Sequence, residues 1–124
     1  MTIRTSVHRA AKPGRKQDGI SLLPVAKNPN RVPDRAIELE ATSPLFLSPG
    51  FPMAYDQPYK GVRTNDYKYI EWSYGAKELW NLRTDPYEMH NVIDDPAYAQ
   101  VKARMVADLA NLNKCAGTGC QVAP

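Results

Sequence analysis

The chain has 124 residues, of which 43% are hydrophobic and 23% charged, which suits one small globular domain and leaves no room for a second. Its longest apolar run, Ile20 to Ala26, is interrupted by Ser21 and Pro24 and falls well short of the roughly 20 residues that cross a bilayer, so no membrane partner is expected. The formal net charge of +3 is unevenly spread: residues 1–35 hold eight Lys and Arg against Asp18 and Asp34, while the remainder holds eight basic and eleven acidic residues.

A basic arm on an acidic body could meet an acidic partner, but residues 1–35 contain no aromatic side chain on which a base could stack. Residues 1–17 are therefore expected to be a solvated, disordered tail rather than a nucleic-acid contact. That stretch also lacks the apolar core and small-residue cleavage site of a secretory signal, so the chain as written is not expected to be exported. Over 18–35, Gly19, Pro24, Pro29 and Pro33 break any helical or strand period and leave the short apolar patch Ile20, Leu22, Leu23 and Val25. This predicts an extended connector that lies on something.

Residues 36–41 alternate cleanly, with Ile37, Leu39 and Ala41 on one face and Glu38 and Glu40 on the other, as in a strand with one wet face. From Thr42 to Pro58, four prolines and one glycine stand among Leu45, Phe46, Leu47, Phe51, Met53 and Tyr55. A loop this long and apolar is uncommon inside a compact domain and is expected to be a docking or pocket-rim element. Three β-rich segments follow, Tyr59 to Thr64, Tyr67 to Trp72 and Lys77 to Leu82, joined by Asn65-Asp66 and by a turn around Gly75. Both joints tolerate the positive φ of tight hairpin turns, which predicts an antiparallel meander.

Asp85-Pro86-Tyr87-Glu88 has the grammar of a capped helical turn, with Asn91 as a left-handed stop. Asp95-Pro96 repeats that grammar and opens a helix to about Lys114. Tyr98, Val101, Met105, Leu109 and Leu112 form its apolar stripe, and Lys102, Arg104 and Asp108 face outward. The predicted fold is α+β: a small four-stranded antiparallel sheet covered by one C-terminal helix, preceded by an irregular arm and connector. The chain then divides into the arm (1–17), the connector (18–35), the folded subdomain (36–114) and a cysteine-containing tail (115–124).

Chemistry-bearing motifs are few. Cys115 and Cys120 are the only cysteines, His8 and His90 stand at no zinc-ligand spacing, and four residues separate the cysteines where a thioredoxin-like pair needs two. A local disulfide is favoured. Asp85, Glu88, Asp94 and Asp95 stand where caps or first-turn charges belong, which outweighs a metal site. Tyr67, Tyr69, Trp72, Tyr74 and Trp80 suit either a carbohydrate-stacking surface or cross-strand packing, and packing is favoured. No nucleophile elbow, phosphate loop or dinucleotide fingerprint occurs.

Taken in order, Asp18-Gly-Ile-Ser-Leu-Leu-Pro24, Gly61-Val-Arg-Thr-Asn-Asp-Tyr-Lys-Tyr-Ile70 and Lys77-Glu-Leu-Trp-Asn-Leu-Arg-Thr-Asp-Pro-Tyr-Glu88 with Asn91-Val92 resemble the C-terminal region of the sulfatases, over residues 18–114. Trp80-Asn81 replaces that family's usual Tyr-Asp, and the closing cysteines are similar to tails of bacterial arylsulfatases and N-acetylglucosamine-6-sulfatase-like enzymes. The resemblance implies a sulfuric ester hydrolase of the alkaline phosphatase superfamily, whose formylglycine nucleophile and Ca²⁺ ligands lie in a large α/β catalytic domain upstream. Neither Cys115 nor Cys120 sits in that nucleophile's Cys-x-Pro-x-Arg motif. The chain is thus expected to carry no catalytic residue, metal ligand or cofactor. Its expected partner is a sulfatase catalytic domain, toward whose active site the 42–58 loop would reach. The alternative is a free-standing module whose basic arm binds nucleic acid or a sulfated glycan.

Overall fold

The computed structural model describes residues 19–31, 33–41 and 58–120. The arm over 1–17 and the loop residues Leu45, Phe46, Phe51, Met53 and Tyr55 lie outside the described residues. Five-residue helix α1, Leu23–Lys27, opens the described chain. Strands β1 (Ile37–Ala41), β2 (Tyr59–Arg63), β3 (Tyr67–Trp72) and β4 (Lys77–Asn81) follow, and helix α2 (Ala99–Leu112) closes the domain after a 3₁₀ turn at Pro96–Tyr98. The sheet is the expected meander, with neighbours in chain order β1-β2-β3-β4 and every pair antiparallel.

The core lies between the sheet and α2. Val62, Tyr69 and Leu79 are direct cross-strand partners in one row, and Met105, Leu109 and Leu112 of α2 pack on them with Ala36. Full burial stabilises each large apolar side chain by about 1.5–3 kcal/mol, so this small cluster supplies most of the driving force. The helix begins where the sequence placed it: the Asp95 carboxylate accepts the Ala97 N–H at 2.9 Å, and Pro96 occupies the first turn, where its missing N–H costs nothing.

Five local expectations are corrected. The connector is not wholly extended, because Pro24 sits in the first turn of α1 and does not interrupt it. The β2–β3 joint uses no positive φ at Asn65 or Asp66. Instead the Thr64 hydroxyl accepts the N–H groups of Asp66 at 3.3 Å and Tyr67 at 3.0 Å, and holds the turn by side chain. The Asp85 turn does not become a helix: Glu88 adopts φ 57° and its carboxylate pairs with Lys68, so it closes no capping box. Asn91 is not a left-handed stop, since its Oδ1 accepts the Leu79 N–H at 3.0 Å and the Ile93 N–H at 3.1 Å. Asp108 does not face outward and is only 7% exposed. Gly75 takes φ 96° in the β3–β4 turn, as expected.

Gly61 is required for a different reason, close approach. A Cβ there would stand 2.6 Å from the Tyr69 carbonyl oxygen and 3.3 Å from the Ile70 side chain. Gly61→Ala is expected to destabilise the domain by about 2 kcal/mol in urea unfolding, whereas Gly19→Ala, with nothing within 4 Å, should change stability little. Equal midpoints for the two variants would contradict this packing.

Candidate functional site

The register fixes which side chains share a face. Glu38, Val62, Tyr69 and Leu79 form one cross-strand row on the side covered by α2. Ile37, Leu39 and Ala41 of β1 therefore point to the opposite side, together with Tyr59, Ile70, Trp72 and Trp80 of the following strands. The face opposite α2 is thus the apolar face of β1, and at its edge Ile37 and Arg63 share a pocket with Ile20, Leu22 and Val25. Ile37 is 46% exposed on it, Ile70 is buried, and Leu39 and Trp80 are half-buried.

At one end of the sheet its last two rows, Ala41–Tyr59–Trp72 and Glu40–Lys60–Glu71, line a cleft of about 440 Å³. Pro58 and Ser73 complete its wall and are joined by a Ser73 N–H bond to the Pro58 carbonyl at 2.8 Å. The Trp72 ring meets Tyr59 edge-on, with centroids 5.2 Å apart, and stacks on Tyr74 at 5.9 Å and 30°. Tyr74 projects from the β3–β4 turn and is 63% exposed. The Trp72 indole N–H is buried and has no acceptor among the described residues.

The aromatic residues singled out in the sequence divide between two roles. Tyr69 is core, Tyr67 packs edge-on against Tyr98 with centroids 6.4 Å apart, and the Trp80 N–H donates to Glu78 at 3.3 Å. Trp72 and Tyr74, joined by Tyr59, make up the exposed cluster at the cleft. The cleft itself was hidden in the sequence, because Glu40, Lys60 and Glu71 meet only through strand register. The signal that could have found it was the pairing of two alternating segments around the two tight turns.

Burial first, and then its bond to Glu71, raises the Tyr69 phenol well above its usual range. That hydroxyl, donating to Glu71 Oε1 at 2.7 Å, is in turn the main reason the Glu71 carboxyl titrates below the usual carboxylate range; burial opposes the shift, and Lys77, 3.2 Å away, supports it. Lys60 donates to Asn113 Oδ1 at 2.6 Å. Away from the cleft, Asp85 accepts the His90 N–H at 2.7 Å, and backbone N–H groups, that of Met89 first, hold its carboxyl below the usual range. Asp85, Glu88, Asn91 and Asp95 thus all shape local structure. No group of three or more His, Cys, Asp and Glu suited to a metal occurs among the described residues. Cys115 and Cys120 are bonded, with Cα atoms 5.1 Å apart, and both pack against the core at the end of α2.

A four-stranded antiparallel meander with one long helix at its C-terminal side defines the chain's described part as an α+β domain. Residues 47–115 match the family of N-sulphoglucosamine sulphohydrolase C-terminal regions, and the chain belongs to that family. It is 43% identical over 42 residues to the uncharacterized sulfatase YidJ of Escherichia coli K12, and 26% identical over 92 residues to the ulvan-active sulfatase of Formosa agariphila. These alignments cover 34% and 74% of the chain but only 8% and 17% of the relatives. The fold is shared with BT4656, solved in complex with its substrate D-glucosamine-2-N,6-O-disulfate, at a TM-score of 0.66 and 23% identity over 84% of this chain and 21% of that one. The chain therefore spans a small part of the proteins it matches.

The Tyr69–Glu71 bond gives a pH test. A carboxyl whose pKa is depressed by folding adds stability above its unfolded pKa and loses it as pH falls through the folded value. Tyr69→Phe should cost about 1 kcal/mol near neutrality and flatten the loss of stability below the ordinary carboxylate range. Unfolding curves of both proteins at several acidic pH values check this, and parallel acid limbs would contradict it.

Proposed function

We propose that the chain is the C-terminal part of a sulfuric ester hydrolase, that its sheet face opposite α2 packs on a catalytic α/β domain, and that alone it turns over no sulfate ester. The supporting observation is the orientation of β1: its apolar side turns away from the chain's only long described helix, leaving Ile37 exposed beside the half-buried Leu39. An isolated domain would gain more by aiming those side chains at its own core. Any Ca²⁺ ion and the formylglycine nucleophile would belong to the catalytic domain. The named substrates of the relatives, ulvan and a disulfated glucosamine, support a sulfated saccharide as the substrate class of the whole enzyme.

The purified chain should not hydrolyse aryl sulfates, with or without Ca²⁺ or a formylglycine-generating enzyme. The DNA upstream should encode a Cys-x-Pro-x-Arg motif and its α/β domain, and co-expression of that region with the chain should give activity. Ile37→Asp, at an exposed position, should lower the reconstituted activity at least about tenfold by burying an unpaired charge at the contact. Turnover by the chain alone that survives repurification would overturn the proposal, as would an unrelated upstream neighbour.

A further inference from the structure

We propose that the pocket where the connector meets the edge of the sheet receives an acidic side chain of the catalytic domain, and that Arg35 and Arg63 hold its carboxylate. This deepens the packing proposed above and rests on it.

The pocket, about 360 Å³, lies on the side of the sheet opposite α2. Ile20, Leu22 and Val25 of the connector and Ile37 of β1 give it apolar walls, and Arg35 and Arg63 are the charged residues of its lining. Register makes Arg63 unusual. It stands directly opposite Lys68 of β3, in a row that runs Ile37–Arg63–Lys68–Trp80 across the sheet. Like charges so placed repel, and the carboxylate beside them, that of Glu88, bonds to Lys68. Neither Arg63 nor Arg35 has an ion-pair partner among the described residues. The domain therefore carries an exposed guanidinium that works against its own sheet.

Packing gives that guanidinium a use. Once a partner covers the face, Arg63 beside Ile37 loses its water, and an uncompensated charge there would oppose the contact. A carboxylate on the covering surface removes the penalty, and arginine is the cation whose planar fork holds a carboxylate through two parallel bonds. The apolar walls call for apolar neighbours around that acid, as a protein surface provides. Other occupants fit less well. Residues 1–17 hold five Lys and Arg and no acid, so the chain's own arm is repelled. A saccharide would set its hydroxyls against apolar walls that offer them no partner.

The test is a titration of the full chain into the co-expressed and separately purified upstream region, by calorimetry at low and at high salt. Arg63→Gln should weaken the association at least about tenfold and reduce its dependence on salt. Arg83→Gln should leave it unchanged, since that exposed arginine already faces Asp66. In the isolated chain Arg63→Gln should leave the urea midpoint unchanged or raise it, because the repulsion from Lys68 is relieved. At least one Asp→Asn or Glu→Gln variant of the upstream region should weaken binding to the wild-type chain and have little further effect on Arg63→Gln. If Ile37→Asp weakened the association and Arg63→Gln did not, the packing would stand and this proposal would fail. No association, or one indifferent to both variants, would overturn the packing and the proposal together. A lowered midpoint for Arg63→Gln would assign the charge to folding and overturn the proposal. So would saturable binding of a sulfated heparin disaccharide, or self-association of the isolated chain, that Arg63→Gln abolished.

Discussion

The structure depends on one cross-strand row. Val62, Tyr69 and Leu79 sit side by side on three adjacent strands, each with no exposed surface, and Met105 roofs them with none either. A row can bury this completely only if the strands stay in register, because a slip of one residue would send every one of these side chains to the other face. Register is held at both ends by local devices: the Thr64 hydroxyl in the β2–β3 turn and the positive φ of Gly75 in the β3–β4 turn. Gly61 keeps β2 close enough to β3 for the ladder to close beside the row. The Asn91 carboxamide then ties the outer edge of β4 to the chain leading into α2, so that the helix arrives over the row.

A single helix covers one face of the sheet, and what the other face carries decides what the domain is for. In a stand-alone antiparallel layer pair that face is usually polar. Here it carries Ile37, Leu39, Ile70 and two tryptophans, while Glu38 and Glu40 take the helix side of the edge strand. The same two acids speak against edge-to-edge pairing with a second copy. Antiparallel pairing of two β1 strands about Leu39 would set Glu38 against Glu40 of the other copy, and like charges directly opposite are destabilising. For the apolar face itself, membership of a sulfatase C-terminal family is consistent with a catalytic domain as the partner.

Most of this architecture was legible in the sequence because its signals are local. One alternating segment, three β-rich segments and two short turns predict the strands to within a residue, and the Asp-Pro start predicts the helix, whose first turn is the 3₁₀ turn Pro96–Tyr98 ahead of α2. What escaped was set by three-dimensional context. Pro24 breaks a helix in its interior but not in its first turn, and only the structure shows which of the two it occupies. The alternation of β1 shows that one face is apolar, but it cannot say that this face points away from the helix. Asp108 stands three residues from Met105, seven from Val101 and four from Leu112, so helical spacing itself sets it at the edge of the apolar stripe, and only its charge suggested an outward position. The cleft needed residues from three strands to meet, which no single segment announces.

Two buried polar atoms, Trp72 Nε1 and Asp108 Oδ2, have no partner among the described residues, and each such orphan costs about 1–3 kcal/mol. They differ in what surrounds them. Trp72 lies on the sheet face opposite α2, which is proposed to pack on a catalytic domain, so its cost accompanies a surface with a proposed use. Asp108 lines none of the clefts described above and lies on the helix that builds the core, where the same cost has no evident return. Deleting its carboxylate removes the burial penalty, and alanine is also the better helix former by about half a kcal/mol. Asp108→Ala should therefore be neutral or stabilising by about 1 kcal/mol in urea unfolding of the full chain. Met105→Ala, three residues away on the same helix and fully buried, should by contrast cost about 2–5 kcal/mol. If Asp108→Ala destabilised the chain as much as Met105→Ala, the carboxylate would have to be held by a strong interaction, and the account of α2 as an apolar roof on a single row would need revision.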